Sequence, residues 1–230
     1  MVAEIILLVL EIIGTIAFAV SGAYVAIKAK LDVFGVVFIG CITAVGGGIT
    51  RDILIGVNPP QIFSNLYVLL VAAGSSLIVF VLAYVYRNKF VGFSQKVEQI
   101  VNVFDAIGLA AFSVIGTEIA FVHGVADNAF LAIMLGMLTG VGGGVFRDIL
   151  TSTTPYIFKK HVYALASIIG AVAYYVIRLY VDTIWIPSLA GMSLVIIIRL
   201  LATHYRWSLP KAHIELEYKP IRIFHNDKDK

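Results

Sequence analysis

One phrase occurs twice in this chain and restricts its fold more than any other feature. Residues 46–59 read GGGITRDILIGVNP and residues 142–155 read GGGVFRDILTSTTP, 96 positions apart. Each copy lies within a long apolar segment. Three adjacent glycines weaken a helix, and arginine beside aspartate is costly in lipid. Their joint appearance, twice, points to a polar path through a membrane.

Composition sets the class. Apolar residues make up 60% of the chain and charged residues 13%, far from soluble averages. Seven segments reach the length of about 20 residues that a span requires: 4–27, 33–56, 62–86, 98–121, 128–151, 161–181 and 184–203. The expected fold is therefore an all-α membrane protein with seven transmembrane helices. The N-terminus has no basic region preceding a short apolar core, so it is read as the first span and not as a cleaved signal peptide. A single cysteine, Cys41, excludes an intrachain disulfide and is read as a packing residue. The net charge of +3 carries no pointer to nucleic acid.

The repeat extends beyond the glycine phrase. Gly14, Phe18, Gly22 and Ala26 in span 1 match Gly108, Phe112, Gly116 and Ala120 in span 4; Glu11 matches Asp105, Tyr67 matches Tyr163, and Gly74 matches Gly170. Spans 1–3 and 4–6 thus form two copies of one three-helix unit. Three is odd, so the second copy enters from the opposite face, giving an inverted repeat with its pathway expected at the repeat interface. The expected divisions are 1–92, 93–182, a seventh helix at 183–204 packing outside, and a cytoplasmic tail at 205–230. Lys28, Lys30, Arg87, Lys89, Lys96, Lys159, Lys160 and Arg199 fall on one side. The positive-inside rule puts that side and the C-terminus in the cytoplasm, and the N-terminus outside.

Depth then sorts the polar residues. Gly46, Gly47 and Gly48 fall near the middle of span 2, and Gly142, Gly143 and Gly144 at the same level of span 5. Such triplets invite a kink or a short unwound stretch, tolerated only where protein or water covers the backbone. Small-residue stripes, Gly40/Ala44/Gly48 and Gly136/Gly140/Gly144, equally serve close helix packing, and the two readings are compatible on different faces. Arg51 lies about 5–8 Å to the outer side of the glycines at 1.5 Å per residue; Arg147 lies comparably to the cytoplasmic side. Intramembrane charges need partners, so Glu11 is expected to pair with Arg51 and Asp105 with Arg147, bracing the repeats or flanking the path. Asp52 and Asp148 point about 100° away round the helix, placed to cap neighbouring helix ends or to face a vestibule. Thr43, Thr50 and Thr139 are candidate polar lining. Like Ser21, Ser113 and Thr117, they are expected more often to bond their own helix carbonyls. Glu118 is placed at the outer interface, His123 and Asp127 in a solvated loop, and Lys159-Lys160-His161 in a cytoplasmic basic cluster that the positive-inside bias explains, with anionic-lipid binding as the alternative.

Walker, HExxH, CxxC and nucleophile-elbow patterns are absent. No catalytic residues, metal ligands or cofactor are expected. Two copies of GGGxxRD in a seven-span chain resemble the prokaryotic trimeric intracellular cation (TRIC) channels, a domain also labelled a putative glycine transporter family. The resemblance implies a homotrimer in a prokaryotic plasma membrane with one pore per subunit. It implies a pore lined by the glycine-kinked second and fifth helices, conducting potassium in preference to sodium. The alternative is a secondary transporter of a small zwitterion such as glycine, whose carboxylate and ammonium the paired charges would hold.

Overall fold

The computed structural model describes residues 2–86, 94–159 and 162–207. Its seven long helices are α1 (Val2–Lys28), α2 (Val33–Leu54), α3 (Leu66–Val85), α4 (Ser94–Val122), α5 (Ala129–Leu150), α6 (Val162–Tyr180) and α7 (Trp185–His204). All seven are long and apolar enough to cross a membrane, and no strand occurs among the described residues. The third span starts later than its hydropathy suggests. Pro59 and Pro60 precede a 3₁₀ turn, Gln61–Phe63, and the helix begins only after Asn65. Arg87, Lys89, the Lys159-Lys160-His161 side chains and the tail beyond residue 207 lie outside the described residues.

The two copies fold alike down to their end groups. Asp32 caps α2 by accepting from the Gly35 amide at 2.8 Å, and Asn128 caps α5 from Leu131 at 3.0 Å, satisfying amides that a helix start leaves open. At the other ends Gly56 (φ 75°) and Ser152 (φ 54°) adopt the left-handed conformation. The Val57 amide reaches the Asp52 carbonyl at 2.9 Å and the Thr153 amide reaches Asp148 at 2.8 Å, the closure expected of a Schellman end.

Within each copy the first helix packs on the second and third. Between copies α1 packs on α4 and α2 on α5. At the α1–α4 crossing the rings of Phe18 and Phe112 stand 5.3 Å apart; Gly14 faces Phe112 and Gly108 faces Phe18. The small-residue stripes of spans 1 and 4 therefore serve packing inside the chain. The seventh helix lies against α4 and α6 and delivers a buried charge to them.

Candidate functional site

Neither glycine triplet is unwound. Both α2 and α5 continue as helix through Gly46–Gly48 and Gly142–Gly144. What the triplets provide is contact: a Cβ on Gly47 would overlap the Thr139 carbonyl oxygen, and one on Gly143 would overlap that of Thr43. The two contacts are equivalent under the 96-residue offset, so the helices cross backbone to backbone at the glycines. Helix hydrogen bonding continues there, with the opposite helix's backbone covering Gly47 and Gly143.

One turn beyond each triplet stands the Arg-Asp pair. In the second copy Arg147 is fully buried. Its Nε donates to Asp148 Oδ1 at 2.8 Å and its Nη1 to both Asp105 Oδ1 and Ser21 Oγ at 2.8 Å. The expected Asp105–Arg147 ion pair is formed. Asp148 also acts through its other oxygen. Oδ2 accepts from the Tyr156 amide at 2.8 Å, holding the start of the helical turn Tyr156–Lys159. The Schellman end of α5 turns the chain back so that this amide meets the carboxylate. The Tyr156 ring lies 5.1 Å from the Arg147 guanidinium carbon, and burial pushes its phenol above the usual range.

In the first copy the arginine and the aspartate repeat this pattern, but the other acid does not. Arg51 donates through Nε and Nη2 to Asp52 Oδ1 at 2.9 and 2.7 Å, and Asp52 Oδ2 accepts from the Gln61 amide at 2.8 Å. Asp52 and Asp148 thus cap neighbouring helix starts. The expected Glu11–Arg51 pair does not form; Glu11 accepts instead from the Tyr67 hydroxyl at 2.5 Å. Arg51 turns both Nε and Nη2 onto Asp52, whereas Arg147 bonds Asp148 through Nε alone and extends Nη1 to Asp105. Between them opens a polar vestibule of about 40 Å³, lined by Glu11, Gly48, Arg51, Asp52, Asn65 and the ring of Phe112, among others. That volume holds roughly two or three waters.

Other expectations change with the packing. Thr43 and Thr139 do not line the vestibule. Both are buried, donate to the Ile39 and Leu135 carbonyls at 2.6 Å, and fill the space beside Gly22 and Gly116. Thr50 donates to Gly46 O at 2.9 Å and is half-buried. Glu118, near the end of α4, is buried among helices, accepting from Tyr174 at 2.7 Å and from Arg178 at 3.3 Å. Arg199 does not sit at the cytoplasmic edge. It is buried, with its Nη2 3.6 Å from Asp105 Oδ2 and its guanidinium carbon 4.6 Å from the Tyr163 ring centre. The missed signal was the apolar sequence after it, Leu200-Leu201-Ala202, which keeps Arg199 over a turn inside the helix end.

The family model described as glycine transporter matches the chain twice, at residues 8–84 and 102–178, one match per copy. A structure described under conductance through TRIC cation channels superposes with TM-score 0.77 at 33% identity, covering 90% of this chain and 97% of that one. The chain belongs to the prokaryotic TRIC family. Another TRIC structure, the trimeric intracellular cation channel orthologue from Rhodobacter sphaeroides, superposes with TM-score 0.78 at 27% identity over 88% of this chain and 99% of its own. Among curated relatives, the inner membrane protein YadS of Escherichia coli K12 is 37% identical over 205 residues, 87% of this chain and 93% of its own. In this TRIC-family chain the doubled glycine phrase lies on α2 and α5, and the unmatched helix α7 follows the second copy.

Proposed function

We propose that the protein is a homotrimeric, potassium-preferring cation channel of a prokaryotic plasma membrane. Each subunit conducts along its own path, which passes between α2 and α5 at the glycine triplets, with potassium or sodium as the permeant ion. The N-terminus faces out and the C-terminus faces the cytoplasm, as the charge bias of the loops favours. Membrane lipid surrounds the apolar outer faces. The observation that carries the reading is the placement of Arg51/Asp52 and Arg147/Asp148, buried and internally paired, on either side of the crossing where Gly47 and Gly143 meet the opposite helix. Similarity to TRIC cation channels supports the same conclusion.

The close glycine contacts form the constriction in its shut state. Opening requires the two glycine faces to separate, which their lack of side chains permits without unpicking interlocked rotamers. Kinking of α2 and α5 at the triplets is the proposed route, since glycine is the cheapest place for a helix to bend.

A zwitterion transporter is the second reading. It draws on Glu11 and Arg51, which line one vestibule without pairing, as an ammonium and a carboxylate site would. The vestibule's volume, about 40 Å³, suits waters and a monovalent ion better than an amino acid. Planar-bilayer recording of purified protein separates the two. Discrete unitary steps with a potassium-favouring reversal potential support the channel; saturable glycine uptake without such steps would replace it with the transporter.

A further inference from the structure

The second copy contains a charge that its repeat partner lacks, and that charge comes from α7. We propose that Arg199 is a tethered counter-cation that shuts the inner half of the path. It does so by occupying Asp105, the buried carboxylate that takes a permeant monovalent cation once Arg199 withdraws. The proposal rests on the channel reading above and adds to it a binding residue and the group that blocks it.

Two arginines share Asp105, and they are held very differently. Arg147 is fixed by three contacts of 2.8 Å, to Asp148, Asp105 and Ser21. Arg199 approaches Asp105 Oδ2 at 3.6 Å without a hydrogen bond. Its Nε and Nη2 are buried with no hydrogen-bond partner, as is Asp105 Oδ2 itself. A guanidinium that served only to brace the fold would make those bonds, because leaving buried charged donors unmade is costly. Arg199 is held by its stacking on the Tyr163 ring at 4.6 Å and by the 3.6 Å charge contact and not by a hydrogen bond to Asp105, so few directional bonds break when it leaves.

The two copies differ in openness as this predicts. Where no counterpart of Arg199 stands, Glu11 is half-buried and borders the vestibule. Where Arg199 stands, Asp105 and Tyr163 are each 1% exposed. An acceptor for a hydrogen of the cation's remaining hydration water is also present: the Tyr163 hydroxyl is buried and unpartnered, 3.2 Å from the point where Gly144 would carry a Cβ.

The test is planar-bilayer recording of the full chain as wild type, Arg199→Gln, Arg199→Lys and the double variant Asp105→Asn/Arg199→Gln. Arg199→Gln is expected to raise open probability about fivefold or more, the shift produced by removing one modest bias from a two-state equilibrium. Arg199→Lys, which keeps the charge, is expected to stay near wild type. The double variant removes one charge of each sign, and its thermal midpoint is measured alongside, because Arg147 also loses Asp105 as a partner. It is expected to open as readily as Arg199→Gln but with lower unitary conductance, because the cation site is gone. Wild-type open probability in both Gln-bearing variants, with the wild type conducting and the oligomer intact by size exclusion, overturns the proposal while leaving the channel reading standing. Absence of current from the wild type and from every variant removes both. Current appearing only when Arg199 is neutralised supports both.

Discussion

Arg147 Nη1 and Asp105 Oδ1 meet at 2.8 Å with neither side chain more than 1% exposed. This contact joins α5 to α4, and Ser21 of α1 donates to the same carboxylate oxygen at 3.2 Å, so three helices share one ion pair. Removing the acid leaves a guanidinium with reduced compensation inside the protein. Asp105→Ala is expected to destabilise the folded protein by about 3–5 kcal/mol, the range for breaking a buried pair from one side. Ser21→Ala, which removes only a neutral hydroxyl, is expected to cost about 1 kcal/mol. Thermal unfolding in one detergent ranks the two, and equal shifts would show that the pair is not the element holding these helices.

The first copy makes the opposite prediction for the residues in corresponding places. Glu11 bonds Tyr67 and Arg51 bonds Asp52, so the two acid–base systems are independent. In a double-mutant cycle Glu11→Gln with Arg51→Gln is expected to show coupling below about 1 kcal/mol, the range for charges that face one hydrated space. Glu11→Gln with Tyr67→Phe is expected to couple more strongly. The charge swap Glu11→Lys with Arg51→Glu should not restore what either single change loses. Recovery of assembly in the swap would mean that the two groups meet in the membrane.

These contrasts mark what could be read from the chain alone. The seven spans, the two copies and the Asp105–Arg147 pair followed from periodic apolar length and from matching charges by depth, both of which depend on rise per residue and little else. The Arg51 pairing did not. Adjacent residues diverge by about 100° round a helix, yet arginine's long side chain folds back to the next carboxylate once that carboxylate is pinned by the Gln61 amide. Arg199 and Glu118 are packed more deeply than a sequence reading shows for a related reason. Each lies near a span end, where a charge is normally solvated, and only tertiary neighbours, Tyr163 with Asp105 and Tyr174 with Arg178, bury them. Triple glycine was equally ambiguous, because the same lack of side chain permits both unwinding and close approach, and the facing helix decides which occurs.

The capping carboxylates should distinguish charge from geometry. Asp52 and Asp148 each accept from a helix-start amide through Oδ2 while Oδ1 holds the preceding arginine. Asparagine keeps one acceptor oxygen and alanine keeps none. Asp148→Asn is therefore expected to lose less stability than Asp148→Ala, the latter costing about 3 kcal/mol or more because Arg147 also loses a charged partner. The same order is expected at Asp52 with smaller losses, since Arg51 borders the vestibule and can be hydrated there. Urea or thermal midpoints for the four variants give the order, and an asparagine variant as damaged as its alanine counterpart would remove the capping role.

Adjacent glycines on α2 offer the sharpest separation of fold from conduction. A methyl on Gly47 overlaps the Thr139 carbonyl, whereas a methyl on Gly48 meets nothing closer than Arg51 Nη2 at 3.8 Å and projects at the vestibule wall. Gly47→Ala is expected to force α2 and α5 apart at a cost of about 1–3 kcal/mol, the range for overpacking a close contact. Gly143→Ala, its equivalent against Thr43, should behave alike. Gly48→Ala should leave stability within about 0.5 kcal/mol, as for substitutions without a buried clash, yet narrow a space that holds only two or three waters. Its effect is expected in unitary conductance and not in the unfolding midpoint. Measuring both quantities on the three variants decides the matter: a Gly48→Ala protein with unchanged conductance would show that ions do not pass the Arg51 vestibule, whatever happens at Gly47.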